Sequence, residues 1–229
     1  GTNGLRNGGA SARGSAPSPA AAVFGGLNEV GLTTADGSPP DTTGAIGPSH
    51  YIEMVNSEIG VFSRTNLAAV ATVDLDDFVG APGESVFDPQ VQWDPQSNRW
   101  LYVAADVVAP GDSFLAVGWS RTASPTPLDG SGWCNFFVRN VATEFEDYPK
   151  LGHNDNHIIL GTNVLDDSGG PGQGDFLTSR IWTIEKPANG VTTCPGAPPP
   201  AEFSGTAGSP LVTADGDTAL SPNPANTAE

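Results

Sequence analysis

The feature that most constrains this chain is that it repeats itself. The segments PPDTTGAIGPSHYIEMVN, FDPQVQWDPQSNRWLYVAAD and EDYPKLGHNDNHIILGTN each run from an aspartate through a short extended stretch and a tight polar turn into an apolar strand. The units begin at Asp41, Asp88 and Asp147, with a period of about 50 residues. Their turns, GPS, DPQSN and HNDN, use the residues that tight turns select. A second strand follows in each unit and ends VFSRT, GWSRT or TIEKP, so Arg64, Arg121 and Lys186 fall at equivalent strand ends. A period of this length made of short antiparallel strands is the pattern of β-propeller blades. One four-stranded sheet cannot bury both its faces alone, and stacked neighbours do it instead. The predicted class is all-β, with three propeller-type blades; a β-sandwich is the alternative.

Composition supports the class. Among 229 residues there are 29 Gly and 21 Pro, and helix interiors tolerate neither. HYIEMVN, IGVFS, RWLYVAA, FLAVGWS, NHIILGTN and RIWTIEK read as strands. Residues 1–23 form a Gly/Ala/Ser/Pro-rich tail, expected to be held against a partner surface or in a groove, and residues 24–229 form the propeller-like domain. Propellers need at least four blades to close. The C-terminal LVTADGDTALSPNPANTAE reads as the outer strand and lead-in of a fourth. The expected partners are therefore further blades of a longer parent chain, or other copies of this one, covering apolar flanks.

With 9 basic and 26 acidic residues the formal charge is −17. Such a surface repels phosphate backbones and anionic headgroups, which argues against nucleic-acid and membrane-surface partners. No run of 18 apolar residues is present to span a bilayer as a helix. Cys134 and Cys194 fit either one disulfide or two buried thiols. The disulfide is the expectation, because adjacent blades would bring their outer segments together. The five tryptophans, Trp93, Trp100, Trp119, Trp133 and Trp182, are read first as packing between sheets and second as ligand platforms.

These three motifs, in this order, resemble the consecutive blades of a group of secreted bacterial β-propeller proteins loosely described as sialidase-like. The similarity covers roughly residues 24–190. It implies a propeller, export and a bacterial secreted or cell-surface location, and carries over no catalytic residues. The sialidase repeat Ser-x-Asp-x-Gly-x-Thr-Trp is absent from every unit.

Several groups could carry chemistry. Asp41, Asp88 and Asp147 precede the inner strands and could point carboxylates toward one another as a cation site or as paired acids. The competing reading is that each caps backbone amides of its own turn. Arg64, Arg121 and Lys186 could clamp an anionic sugar, although lysine does not replace a bidentate arginine. LDDSGGPGQGD offers Asp166, Asp167 and Asp175, and TADGDT offers Asp215 and Asp217, as oxygen ligands for Ca²⁺, without the full spacing of a calcium loop. VDLDDF, with Asp74, Asp76 and Asp77, is a weaker variant. His50, beside Ser49 and three residues from Glu53, suggests a Ser/His/acid set that no nucleophile elbow supports. His153 and His157 straddle a turn.

Together these features favour an exported, non-catalytic binding or assembly module that associates with glycans or protein neighbours and requires no cofactor, Ca²⁺ being optional. The alternative is a glycan-processing hydrolase or lyase using acids near the propeller channel.

Overall fold

A computed structural model of the chain describes residues 26–33, 39–109, 112–139, 143–168, 174–196 and 201–204. The tail at 1–23, the run LVTADGDT, and Asp215 and Asp217 lie outside the described residues. Three four-stranded antiparallel sheets follow one another along the chain, each a meander in sequence order. The first comprises β1 (Thr43–Ile46), β2 (His50–Val55), β3 (Glu58–Ser63) and β4 (Ala69–Asp74). The second comprises β5 (Ser85–Asp94), β6 (Arg99–Ala109), β7 (Asp112–Ser120) and β8 (Trp133–Arg139). The third comprises β9 (Glu144–His153), β10 (His157–Asp166), β11 (Phe176–Glu185) and β12 (Ala201–Ser204). The two central strands of each sheet are the six apolar runs legible in the sequence.

Alternation along β6 and β7 explains why the sheets stack. Trp100, Tyr102 and Ala104 point to one face of the second sheet and pack with Ile52, Met54, Ile59 and Val61 of the first. Leu101, Val103, Leu115 and Val117 point to the other face and pack with Leu151, Ile158, Leu160 and Ile184 of the third. A strand buried on both faces must be apolar at successive positions, which is what WLYVAA supplies. β1 lies against β5, and β5 against β9, so these first strands form the shared inner edge of the stack. This is blade geometry rather than a two-layer sandwich.

The tryptophans serve this packing. Trp100 and Trp133 belong to the first inter-sheet core and Trp119 and Trp182 to the second. Trp93 stacks edge-on against Trp100 at 5.1 Å. Phe78 meets Trp133 at 5.0 Å and Tyr102 at 4.9 Å. Phe78 is carried by a short helix, α1 (Leu75–Val79), in the connection between the first two sheets. VDLDDF is therefore a strand end running into a helix. It buries Leu75, Phe78 and Val79, and Gly80 terminates it in the left-handed region at φ 90°.

Cys134 on β8 and Cys194, after β11, form a disulfide with Cα atoms 5.4 Å apart. It fastens the outer strand of the second sheet to the segment that follows the third strand of the third. Closing a loop of 60 residues is worth about 4 kcal/mol on the chain-entropy model.

One detail of the repeat is corrected. Asp41, Asp88 and Tyr148 all have positive φ (42°, 50° and 51°). In backbone conformation Asp41, Asp88 and Tyr148 match one another, with Asp147 one place earlier. Asp88 and Tyr148 precede prolines, and the ladders shift register there, between Phe87 and Gln90 and opposite Gly161 to Asn163. The Asp-Pro and Asp-Tyr-Pro signatures thus mark bulges in the inner strands.

Candidate functional site

The meander sends every first-strand start, second-strand end and third-strand start to one end of the stack. That end collects Asp41, Glu58, Asp74, Asp76, Glu84, Asp88, Asp106, Asp147 and Asp166. The opposite end holds the turns inside β1–β2, β5–β6 and β9–β10 and carries Arg64, Arg99, Arg121 and Lys186 alongside Asp94, Asp129, Asp155 and Glu185. One end is acidic and the other balanced.

At the acidic end the bulges draw Asp41, Asp88 and Asp147 together. Asn56, in the β2–β3 turn, accepts from the Asp88 amide at 2.8 Å through its side-chain oxygen and donates to Asp41 Oδ2 at 3.3 Å. Burial, a side-chain hydrogen bond with Asp41 and the charges of Asp147 and Asp41 push Asp88 up to about 7, while Lys150 pulls the other way. Burial also raises Asp147, against a hydrogen bond from the Tyr148 amide. Two of the three carboxyls therefore resist ionisation. The proton kept on Asp88 serves its hydrogen bond with Asp41.

At the other end the strand-terminal cations are engaged by backbone carbonyls. Arg64 Nη1 donates to Gly47 O at 3.0 Å, and Lys186 Nζ donates to Asn154 O at 2.6 Å. Gly47 and Asn154 hold the same place in their turns, since each amide donates to a histidine carbonyl, His50 and His157 respectively. Arg121 donates to Gly130 O at 2.7 Å and to Thr192 O at 3.3 Å. The three positions are equivalent along the chain but share no partner. A carboxylate ligand would have to displace these carbonyls.

Lys186 also closes a buried inter-sheet network that the sequence did not reveal. Its Nζ lies 2.5 Å from Asp94 Oδ2, and Asp94 further accepts from Ser97 Oγ and from the Gln96 amide at 3.0 Å. Burial alone would raise Asp94, but Lys186 and Ser97 bring it below its usual value. His153 Nδ1 stands 3.7 Å from Asp94 Oδ1, and burial lowers its pKa. Beside this network a cleft of about 520 Å³ opens between the second and third sheets, lined by Gln96, Asp155, Asn156, His157, Glu185 and Asn189. A second buried network, Arg180 with Glu146 and, at 2.8 Å, Glu144, lies within the third sheet.

The remaining candidates separate. Asp166 and Asp175 are joined by backbone, Asp166 N to Asp175 O at 2.9 Å, but Asp166 Oδ1 accepts from the Ser168 amide, Asp167 is buried and Asp175 is exposed. Among the described residues no three His, Cys, Asp or Glu side chains are spaced to hold a metal ion. The Ser/His/acid idea fails on strand geometry. His50 and Glu53 are an odd number of residues apart on β2 and so point to opposite faces. Glu53 instead accepts from the Leu32 amide at 2.9 Å.

No protein-family description matches the chain, and no curated protein matches it. Among solved structures it is similar to the WD40 domain of SCAP from fission yeast, at 7% identity and a TM-score of 0.32, covering 68% of this chain and 29% of that one. It is also similar to the Cps50 (Swd1) β-propeller domain of Myceliophteria thermophila, at 10% identity and 0.31, covering 71% and 57%. The chain spans less than two thirds of the length of either. By its own topology it is an array of β-propeller-type blades, three of which are described.

Proposed function

We propose that this chain is a non-catalytic binding and assembly module of an exported protein, engaging protein neighbours through the faces and ends of its blades. The observation that carries this reading is an asymmetry in the third sheet. Ile158, Leu160, Trp182 and Ile184, which face the second sheet, are at most 4% exposed. Ile159 and Ile181, on the opposite face of the same two strands, are only half-buried. Leu177 is 46% exposed. A blade's second face is buried when another sheet stacks on it, so further blades of a longer chain, or a second copy, complete this one. The disulfide supports export, because such bonds persist in oxidising compartments. Glycans are a second ligand class: the Gln96, Asn156 and Asn189 amides of the large cleft suit neutral hydroxyls.

One observation favours a second reading. Asp88, held near 7 beside Asp41 and Asp147, is the kind of protonated carboxyl a glycan hydrolase uses as its acid. Sedimentation together with a glycan-cleavage assay separates the two. The assembly reading expects a mass above 23.4 kDa that added salt does not dissociate, and no turnover. A 23.4 kDa monomer with turnover abolished in Asp88→Asn establishes the hydrolase.

A further inference from the structure

Beside the connection between the first and second sheets lies an open cavity of about 270 Å³, lined by Ser57, Asp74, Asp76, Glu84, Ser85 and Val86. Half of these residues are carboxylates, and Glu58 adds its charge beside Asp74. Behind the wall stands Asp106 of β6, across the ladder from Val86. Asp106 is 0% exposed, and among the described residues neither of its carboxyl oxygens receives a hydrogen bond from an N–H or O–H group. The groups it faces are Glu84, within hydrogen-bond reach, and Asp76 further off, with Tyr102 four residues earlier on its own strand. Buried polar groups are normally satisfied, and a buried carboxylate without a counter-charge is costly. A buried carboxyl that faces another acid calls for a positive group from outside.

The arrangement selects the kind of cation. No three of these side chains are spaced to hold a metal ion, and Asp76 is already fixed by its own turn, accepting from the Gly83 amide at 2.7 Å and the Asp77 amide at 2.9 Å. Acceptors spread around a cavity of this size match a group that donates in several directions, as a guanidinium or ammonium does. We propose that this cavity receives an arginine or lysine side chain of a protein partner, with Glu84 accepting from its N–H groups, Asp106 behind Glu84 adding its charge and Asp74 in the lining. The proposal rests on the binding-module reading and names one contact of it. Burial and the Glu84 and Asp76 charges raise Asp106 to about 7, so an incoming cation displaces the proton on Asp106. Binding therefore tightens as pH rises.

The probe is N-acetyl-arginine amide, with its neutral citrulline analogue and CaCl₂ as separate arms, followed by amide NMR shifts at pH 6 and pH 8. Saturable shifts at Ser57, Glu84 and Asp106 are expected with the arginine probe and not with citrulline, stronger at pH 8. Glu84→Gln relieves like-charge repulsion, so it keeps the fold, and it weakens binding about tenfold. Asp129→Asn, at the far end, leaves binding unchanged. No saturable shift, or binding undiminished in both Glu84→Gln and Asp106→Asn, overturns the proposal. Equal shifts at lower CaCl₂ concentration overturn it in favour of a metal ion. The readout is local to the cavity, so it stands or fails independently of the assembled mass.

Discussion

Lys186, just past the end of β11, reaches Asp94 at the end of β5, Nζ to Oδ2 at 2.5 Å, and the two side chains are 2% and 0% exposed. This ion pair locks the third sheet to the inner strand of the second. Removing one partner leaves the other charge buried and unpaired, which costs about 3–5 kcal/mol, whereas replacing both with apolar groups of similar size costs far less. Lys186→Met is therefore expected to destabilise by that amount in urea denaturation, and Lys186→Met with Asp94→Leu to recover most of it. Since the Asp94 pKa is lowered, its contribution is present above the unfolded value and is lost as pH falls through the folded one. A single variant as stable as wild type would show the pair to be idle.

The pH profile of stability follows from the two carboxyls raised to about 7, Asp88 and Asp106. Between their unfolded pKa values near 4 and about 7, the folded chain holds more protons than the unfolded chain. Stability therefore falls as pH rises through that window and flattens above it. The melting temperature should be higher at pH 5 than at pH 8. Asp88→Asn and Asp106→Asn should each shrink the difference, by raising stability at pH 8. A profile that climbs from pH 5 to 8 contradicts both assignments.

Reduction tests the covalent link. Breaking Cys134–Cys194 restores the freedom of a 60-residue loop and should lower unfolding free energy by about 4 kcal/mol. Cys134→Ala with Cys194→Ala should match the reduced wild type in denaturant midpoint. Agreement between the oxidised wild type and the double variant would remove the disulfide from the account of stability.

Close backbone approach makes Gly118 irreplaceable. A Cβ added there would fall inside contact distance of the Cys134 carbonyl, with the Tyr102 ring beside it. Gly118→Ala must push β7 from β8, and overpacking of this kind costs about 1–3 kcal/mol. Thermal unfolding should show the loss, whereas Gly130→Ala, where nothing lies within 4 Å, should be nearly silent.

Much of the architecture was legible because the repeat writes the same physical problem three times. Each central strand is an uninterrupted apolar run, and only a sheet covered on both faces needs WLYVAA. The outer strand β4, AVATVD, escaped because its alternation is half polar and its side chains are mostly exposed. Helix α1 escaped because five residues carry no helical period. Asp41, Asp88 and Asp147 could be placed at one edge by spacing, but that Tyr148 and not Asp147 takes the positive φ could not. It depends on which residue before proline takes positive φ.

The sequence by itself determined the class of the fold, the length of each repeat, the ends at which charges fall and the two cysteines that could pair. These follow from local chemistry: period-two patterning, turn residues and the parity of a meander. Only the tertiary structure decided what each charge meets. Lys186 finds Asp94 on a neighbouring sheet, Arg64 finds the Gly47 carbonyl, and Asp106 is left facing Glu84 with no hydrogen-bond donor on its oxygens among the described residues. Partnership between residues far apart in the chain is set by how the sheets stack, and an aspartate reads the same in sequence whether a lysine or another acid is brought against it.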